Sequence, residues 1–247
     1  MVNRQFKGFI TVRTSSVRLP NKCFLPFGEE SVLSHVIKRA LTNNIDPIIC
    51  TTTEKADDPV ENLAKDLKVK FYRGSSKNKL KRWLDCAIKF DINNFHTIYS
   101  DDPFFEPKEM NASMDLLVFG NYDAVYPTPS SSAGGASVGY SLKTKFIKQA
   151  LSNVPDETDT EMMWYYLEQV KDRNIKILED PTETISKIRL TLDYQEDYWL
   201  LESIRRILGN NATRKDINKL FKDNPDFHMI NFFRNEEWKE AQLAKKL

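Results

Sequence analysis

Short apolar, β-branched runs alternate with helical patterns along the first two-thirds of the chain, and no other feature limits the fold as much. The predicted strands are 6–12, 47–52, 69–72, 97–99 and 123–126. The predicted helices, which carry apolar residues at helical spacing, are 32–41, 57–67, 80–90 and 107–118. Strands that alternate with helices are typical of a parallel sheet with helices on its faces. We therefore predict an α/β fold with a parallel central sheet.

The predicted helix 57–67 has a clear start signal. It opens with Asp57, Asp58 and Pro59. An acidic residue at the cap and a proline in the first turn are typical of a helix N-terminus. The sequence therefore predicts an acidic cap for this helix.

The pattern changes at residue 127. Residues 127–140 concentrate proline, serine and glycine, which predicts a mobile loop or a specialised binding loop. The elements predicted after it are helices at 143–151 and 160–171, a strand at 187–192, a helix at 196–208 and a polar helical tail broken at Pro225. Since the regular alternation resumes only near residue 187, we predict that residues 127–185 form an inserted subdomain.

Composition excludes several classes of function. The formal net charge is +1, from 36 basic and 35 acidic side chains, so no charge excess supports sequence-independent nucleic-acid binding. No apolar run is long enough to span a bilayer, and the first residues lack the pattern of a signal peptide. Cys23, Cys50 and Cys86 are odd in number and widely spaced, which favours neither a disulfide framework nor a zinc site. We predict a cytoplasmic protein that binds neither nucleic acid nor membrane.

The loop after the first strand carries three cations. Arg13, Arg18 and Lys22 lie in RTSSVRLPNK, together with the hydroxyls of Ser15 and Ser16. Ligands of open α/β sheets bind beyond the carboxyl ends of the strands. Arginine and lysine there suit a polyphosphate, although a solvated surface loop has the same composition. The chain has no GxxxxGK[ST] and no GxGxxG, so this loop, the cation loop (13–22), relies on side chains.

Acidic residues follow two later predicted strands. Asp101 and Asp102 come directly after the strand 97–99, and Asp193 ends the predicted strand 187–192. Magnesium binds through one or two carboxylates and shares nucleotide phosphates, so these side chains are candidate metal ligands. Alternatively, Asp102 forms an Asp-Pro turn before a helix cap at Glu106, and the acids after Asp193 complement a helix dipole.

Taken in order, these segments resemble the cytidylyltransferase family of CMP-Kdo synthetases, CMP-sialic acid synthetases and SpsF-like spore-coat polysaccharide proteins, most closely the SpsF-like branch. The motifs are RTSSVRLPNK at 13–22, RGS at 73–75 with LKRW at 80–83, DDP at 101–103 and TLDYQED at 191–197. The resemblance covers nearly the whole chain. It implies a Rossmann-like nucleotide-diphospho-sugar transferase (GT-A-like) fold with a mostly parallel central sheet. Residues 127–185 would then be an inserted acceptor-binding and dimerisation subdomain.

The resemblance also implies roles for individual residues. The predicted nucleotide-binding residues are Arg13, Thr14, Ser15, Ser16, Arg18, Lys22, Thr52, Arg73, Gly74, Ser75 and Arg82. The predicted catalytic residues are Arg13, Arg18, Lys22 and Asp101, and the predicted Mg²⁺ ligands are Asp101 and Asp193. The predicted acceptor-binding residues are Ser137, Tyr140, Glu161 and Arg189.

The implied activity is CTP-dependent transfer of CMP to a sugar-like acceptor, including acidic sugars, with release of pyrophosphate. The implied enzyme is a homodimer that serves cell-surface glycan synthesis. Two departures from the family pattern concern substrates: residues 130–140 lack an expected glutamate, and Asn78 or Lys79 stands where an acid is expected. The alternatives are a phosphate or phosphonate acceptor, a different nucleoside triphosphate, and a non-catalytic nucleotide-binding protein of a glycan pathway.

Overall fold

The computed structural model describes residues 5–182, 185 and 187–243. Its strands are β1 (Phe6–Thr11), β2 (Pro26–Phe27), β3 (Glu30–Ser31), β4 (Ile45–Thr52), β5 (Lys70–Gly74), β6 (Asn94–Tyr99), β7 (Ala124–Tyr126), β8 (Ser141–Lys143) and β9 (Ile175–Ile177). Its helices are α1 (Val32–Thr42), α2 (Asp58–Asp66), α3 (Lys79–Lys89), α4 (Pro107–Phe119), α5 (Thr144–Ala150), α6 (Met163–Leu167), α7 (Gln195–Leu208), α8 (Arg214–Asp223) and α9 (Arg234–Leu243). The strands and helices predicted before residue 127 are all confirmed within a few residues.

The central sheet has the strand order β5-β4-β1-β6-β8-β7-β9. Neighbouring strands are parallel except β8, which runs antiparallel to both β6 and β7. The predicted α/β fold with a mostly parallel sheet is therefore confirmed. Thr11 at the end of β1 pairs with Cys50 of β4 and Tyr99 of β6, so the carboxyl ends of these strands meet at one edge. Ligands of such sheets bind at that edge.

Apolar side chains cover both faces of the sheet and fix the helices upon it. On one face, Trp83 of α3 is fully buried against Phe95, with ring centroids 6.2 Å apart. The indole Nε1 of Trp83 donates to Thr11 Oγ1 at 2.8 Å, which places α3 over the end of β1. On the other face, α1 buries Leu33, Val36 and Ile37 together with residues of β1 and β4. A third cluster lies under α7 and α8.

Residues 139–143 insert an antiparallel strand into the middle of the parallel sheet. Thr97 N donates to Tyr140 O at 2.8 Å, and Tyr140 N donates to Thr97 Oγ1 at 2.9 Å. A Cβ on Gly139 would lie 2.1 Å from Thr97 O, so only glycine permits this approach. The predicted insertion, 127–185, thus contributes β8 and β9 to the main sheet; its residues 183 and 184 lie outside the described part of the chain.

Two predictions for the second half of the chain are wrong. The helix expected at 160–171 is limited to Met163–Leu167. Residues 187–192 form no strand, because their amides bond to separate loops: Leu190 N donates to Gly134 O at 2.8 Å and Leu192 N donates to Asp101 O at 2.8 Å. The predicted helix 196–208 and the helical tail broken at Pro225 are confirmed as α7, α8 and α9. None of the helices that the structure describes is both long and apolar enough to cross a membrane.

Candidate active site

A cavity of about 900 Å³ opens at the carboxyl edge of the sheet. The cation loop forms one wall, the residues that follow β6 form its floor, and the start of α3 lies at one side. The loop 131–140, residues 161–164 and part of α9 complete the lining. Segments from both halves of the chain therefore contribute to one site.

Lys22 joins two carboxylates that come from distant parts of the sequence. Its Nζ donates to Asp101 Oδ2 at 2.6 Å, to Asp193 Oδ1 at 2.9 Å and to Leu192 O at 2.8 Å. Arg18 Nη2 lies 2.7 Å from the same Asp193 Oδ1. Asp193 is only 4% exposed, so these ion pairs are screened little by solvent.

The charges at this point stabilise one another. Burial lowers the pKa of Lys22, but the carboxylates of Asp101 and Asp193 outweigh burial and raise it above its usual value. Burial raises the pKa of Asp193, but Lys22 and Arg18 outweigh burial and lower it well below its usual range. Burial, reinforced by the charge of Asp101, raises the pKa of Asp102. At neutral pH, Lys22 and Asp193 are therefore both charged.

A second group of charges lies where α3 begins. Arg13 Nη2 is 3.2 Å from Glu161 Oε2, and Lys79 Nζ is 3.5 Å from Glu161 Oε1. Arg82, which is 2% exposed, donates from Nη1 to Ser75 O at 2.5 Å, while its Nε has no hydrogen-bond partner among the described residues. Three cations thus face one carboxylate. Such an excess of positive charge and the free donor of Arg82 suit an anionic or acceptor-rich ligand.

The carboxylates are suited to a divalent cation. Asp101 and Asp193 both lie within 3 Å of a single ammonium nitrogen, so their oxygens converge on one point. Magnesium needs only one or two carboxylates when water and phosphate oxygens complete its octahedron. Within the described residues no cluster of three or more His, Cys, Asp or Glu could form an all-protein metal site. The donor set therefore fits an ion that is shared with a nucleotide.

The structure brings ten of the residues predicted for the site into the lining of this cavity. They are Arg13, Ser15, Ser16, Arg18, Lys22, Arg82, Asp101, Tyr140, Glu161 and Asp193. They include all the residues predicted to be catalytic and both predicted metal ligands. Tyr140 and Glu161 come from the segment 127–185, and Glu161 lies next to the cation loop, 3.2 Å from Arg13 Nη2.

Five residues predicted for nucleotide binding lie outside the lining. Thr14 and Thr52 both donate to the carboxylate of Asp57 behind the cation loop. Arg73 points away from the cavity, since its Nη1 pairs with Asp58 at 2.7 Å and with Glu61 at 2.8 Å.

Gly74 and Ser75 continue from Arg73 at the end of β5. A Cβ on Gly74 would meet the ring of Tyr72 at 2.7 Å and the side chain of Arg82 at 3.2 Å. Ser75 Oγ accepts from Asn78 N at 3.0 Å at the start of α3. Both residues therefore pack beneath Arg82 and do not face the cavity.

Two residues predicted for acceptor binding also lie outside the lining. Ser137 is 2% exposed and donates to Glu109 Oε2 at 2.8 Å. Arg189 is fully buried, and its guanidinium pairs with Asp197, with Nε 2.9 Å from Oδ1. Asp197 in turn accepts from Asp193 N at 2.9 Å, so Arg189 supports the backbone that carries Asp193.

Several lining residues were missed in the sequence. Lys79 is 6% exposed, with Nζ 5.6 Å from the ring centroids of both Trp83 and Tyr99. Burial lowers the pKa of Lys79, although Glu161 opposes that effect. Trp238 and Lys239 of α9 also line the cavity. The sequence marks Lys79 only as a departure from an expected acid, and Trp238 lies in a polar tail, so neither is predicted to be a site residue.

Three comparisons relate the chain to known proteins. The sequence profile of a family described as Cytidylyltransferase matches residues 8–138, slightly more than half of the chain. The chain is 23% identical to the spore coat polysaccharide biosynthesis protein SpsF of Bacillus subtilis over 235 residues, 88% of this chain and 94% of that protein.

Two solved structures share the fold. One is a cytidylyltransferase from Leptospira borgpetersenii, with a TM-score of 0.78 and 24% identity over 91% of this chain and 97% of that one. The other is CMP:2-keto-3-deoxy-manno-octonic acid synthetase complexed with CTP, with a TM-score of 0.61 and 15% identity over 85% of this chain and 100% of that one.

Proposed function

The chain belongs to the cytidylyltransferase family, and from this premise we propose that it transfers CMP from CTP to a hydroxyl of a sugar-like acceptor and releases pyrophosphate. Membership of the family makes the protein a nucleotidyltransferase. The identity of the nucleotide and the class of the acceptor are the parts that we propose. The similarity to SpsF and the shared fold with a synthetase that binds CTP support both parts.

One observation carries the proposal: Lys22, Asp101 and Asp193 meet at one point, beside Arg18, at the carboxyl edge of the sheet. Phosphoryl transfer depends mainly on positioning and on charge stabilisation. A paired arrangement of cations and carboxylates supplies both. The cavity of about 900 Å³ is large enough for a nucleotide together with a small acceptor.

The cations of the loop have the task of holding and neutralising phosphates. We assign the triphosphate to Arg13, Arg18 and Lys22, which line the wall nearest the end of β1. An acceptor oxygen forms a bond to the α-phosphorus while the bond from that phosphorus to the bridging oxygen of pyrophosphate breaks. Arg18 and Lys22 stabilise the charge that develops on the departing pyrophosphate. The hydroxyl proton of the acceptor passes to a cavity carboxylate or to water.

The carboxylates Asp101 and Asp193 would hold a divalent cation, which we propose to be Mg²⁺. When bound, the ion draws charge from the phosphate oxygens that it contacts. Lys22 holds the two carboxylates in place beside one another, because its ammonium bonds to both.

The remaining predicted residues either contact a substrate or support the walls of the cavity. Arg82 lines the cavity, and its buried Nε has no partner among the described residues, which suits a contact with the base or ribose of the nucleotide; Ser15 and Ser16 add hydroxyls. Thr14, Thr52, Arg73, Gly74 and Ser75 support the walls from behind. Tyr140 and Glu161 are the proposed acceptor contacts, while Ser137 and Arg189 shape the surrounding backbone.

The pathway, the cellular location and the oligomeric state of the enzyme are also proposals. We assign the protein to the synthesis of a cell-surface polysaccharide, on the basis of its similarity to SpsF. We further propose a cytoplasmic homodimer in which residues 127–185 reach towards the partner. The surface of that segment, which exposes Tyr165 and Ile177, supports such a contact.

Pyrophosphate release tests the reaction. The protein is incubated with CTP, Mg²⁺ and a panel of acidic sugars, sugar phosphates and phosphonates. We expect release with CTP and a sugar hydroxyl, and a loss of about 100-fold or more in Asp193→Asn, since metals contribute several kcal/mol. Asp223→Asn, which removes a surface pair with Lys219, serves as the matched control. Release that is equal in wild type and Asp193→Asn would contradict the assignment of the site.

A further inference from the structure

Asp57 occupies a capping position that it does not use. It immediately precedes α2, where an aspartate side chain ordinarily accepts a hydrogen bond from the first turn of the helix. The Asp57 side chain makes no capping hydrogen bond to α2. It is 2% exposed, so it is also not solvated. The acidic cap predicted from the sequence is therefore diverted to another partner.

The partner is the cation loop. Asp57 Oδ1 accepts from Thr14 N at 2.8 Å and lies 2.8 Å from Thr14 Oγ1, which donates to it. The other oxygen, Oδ2, accepts from Thr52 Oγ1 at the end of β4. One carboxylate thus ties the loop after β1 to the neighbouring strand. Thr14 stands between Arg13 and Ser15, whose side chains line the cavity.

The charge of Asp57 strengthens these bonds. Burial raises its pKa, but the hydrogen bonds from Thr52 and Thr14 outweigh burial and lower it. The group is therefore ionised at neutral pH and bonded to neutral donors. Hydrogen bonds with one charged partner are roughly twice as strong as neutral ones, and a buried carboxylate needs all its donors.

We infer that Asp57 is a positioning residue for nucleotide binding: it holds the cation loop in the conformation that presents Arg13 and Arg18 to the phosphates. It touches neither ligand nor reacting atoms and acts through Thr14. The identity of the ligand rests on the proposed function, whereas the anchoring of the loop does not. Binding groups must be held to a fraction of an ångström, which an untethered polar loop cannot achieve.

The test compares Asp57→Asn with Asp216→Asn. Asp216 is a matched control because it accepts from the same donor types, Thr213 N at 3.0 Å and Thr213 Oγ1 at 2.6 Å, but caps α8 away from the cavity. Hydrogen–deuterium exchange of the free proteins reports on the loop, and the Kd for CTP with Mg²⁺ reports on binding. For Asp57→Asn we expect exchange of residues 13–18 and the Kd each to rise about tenfold or more, as the loss of a hydrogen bond to a charged group implies.

The control variant Asp216→Asn and the exchange rates of the strands distinguish a local effect of Asp57→Asn from a general loss of stability. In Asp57→Asn, exchange in β5 and β6 should stay at the wild-type rate, and Asp216→Asn should change neither the loop nor the Kd. Wild-type exchange together with wild-type Kd in Asp57→Asn would overturn the inference. So would a uniform rise across the sheet, because that result describes a purely structural residue.

Measuring loop exchange and CTP binding separately distinguishes a failure of the inference from a failure of the proposed function. If wild type binds no CTP, the proposed function fails, and exchange at residues 13–18 still decides whether Asp57 anchors the loop.

If Asp57→Asn does not fold, Thr14→Val and Thr14→Ser replace it. Thr14→Val loses the hydroxyl donor and should accelerate loop exchange more than Thr14→Ser, which keeps it; equal effects would overturn the inference.

Discussion

At the scale of single residues, Lys22 connects the parts of the site. Its ammonium lies between Asp101 and Asp193, which follow different segments of the fold, and it is also bonded to the carbonyl of Leu192. Its side chain is 11% exposed, so the charges that it neutralises are largely removed from water. Removing one partner of such a group leaves uncompensated charge behind.

Lys22→Met is therefore expected to lower both stability and activity. We expect a loss of about 3 kcal/mol in the free energy of unfolding, because a buried charge pair loses one member. Pyrophosphate release should fall by about 100-fold or more, since a donor to the phosphates is lost. Urea unfolding and the release assay measure the two effects.

Lys81→Met provides the control for that experiment. Lys81 forms a surface pair with Asp85 one helical turn away, with side chains 31% and 29% exposed. Such pairs contribute about 0.5 kcal/mol, so this variant should resemble wild type. If Lys22→Met is no less stable than Lys81→Met, the charge arrangement described for the site is wrong.

The charged residues of the site could be predicted from the sequence better than the residues that support them. Arg18, Lys22, Asp101 and Asp193 follow the ends of strands or predicted strands, and the topology of a parallel sheet brings such ends together. The direction of a loop side chain has no such rule. Arg189 stands two residues before the TLDYQED motif. Its guanidinium does not face the cavity but lies 2.9 Å from Asp197 and 3.5 Å from Asp193, because a fully buried guanidinium must lie against a carboxylate.

At the scale of secondary structure, short and polar elements are the ones that were missed. β8 has three residues, Ser141–Lys143, without an apolar alternation that could mark it. It forms because Gly139 allows the chain to approach Thr97 closely and because His96 reaches across to Ser141. Conversely, the apolar alternation of 187–192 predicts a strand, but its amides bond to two separate loops, at Gly134 and Asp101, and not to a neighbouring strand.

His96 joins β6 to this inserted strand. Gly139 N donates to its Nε2 at 3.1 Å, so the neutral ring carries its proton on Nδ1, which lies 2.8 Å from Ser141 Oγ. Burial lowers the pKa of His96 to about 3. Protonation of Nε2 would also remove the acceptor for Gly139. The packing of β8 against β6 is therefore stable only while His96 is neutral.

The stability of the fold should consequently depend on pH through His96. An unfolded histidine binds its proton near pH 6.5, whereas folded His96 does so only near pH 3. The contribution of neutral His96 to the free energy of unfolding is complete above about pH 6.5. It is lost as the pH falls below that value, by about 1.4 kcal/mol per pH unit. Burial also lowers the pKa of His35, to about 4, so two residues add to the slope.

Urea unfolding at pH 7, 6 and 5 measures this slope. His96→Asn should be less stable than wild type at pH 7 and should lose less stability towards pH 5. His228→Asn, at the surface beside Pro225, should keep the slope of wild type. A slope that is unchanged in His96→Asn would contradict the buried, neutral state of the ring.

At the scale of the whole molecule, the fold could be predicted and the boundary of the cavity could not. The alternation of strands and helices determined the sheet, and the four motifs indicated its carboxyl edge. However, α9 closes part of the cavity with Trp238, whose ring lies 5.4 Å from the guanidinium carbon of Arg189. Trp238 and Arg189 lie in two segments that share no sequence motif, so their contact is seen only in the folded chain.

The central claim is that this cavity binds CTP together with a divalent cation. Thermal unfolding with CTP, UTP, GTP and ATP, each with and without Mg²⁺, tests it most directly. A ligand at 100 times its Kd stabilises the folded state by about 2.7 kcal/mol, which corresponds to a rise in Tm of about 5–10 °C for a chain of this size. We expect that rise with CTP and Mg²⁺ together, and a much smaller one with CTP alone. A larger rise with another nucleotide, or none with any of them, would contradict the claim.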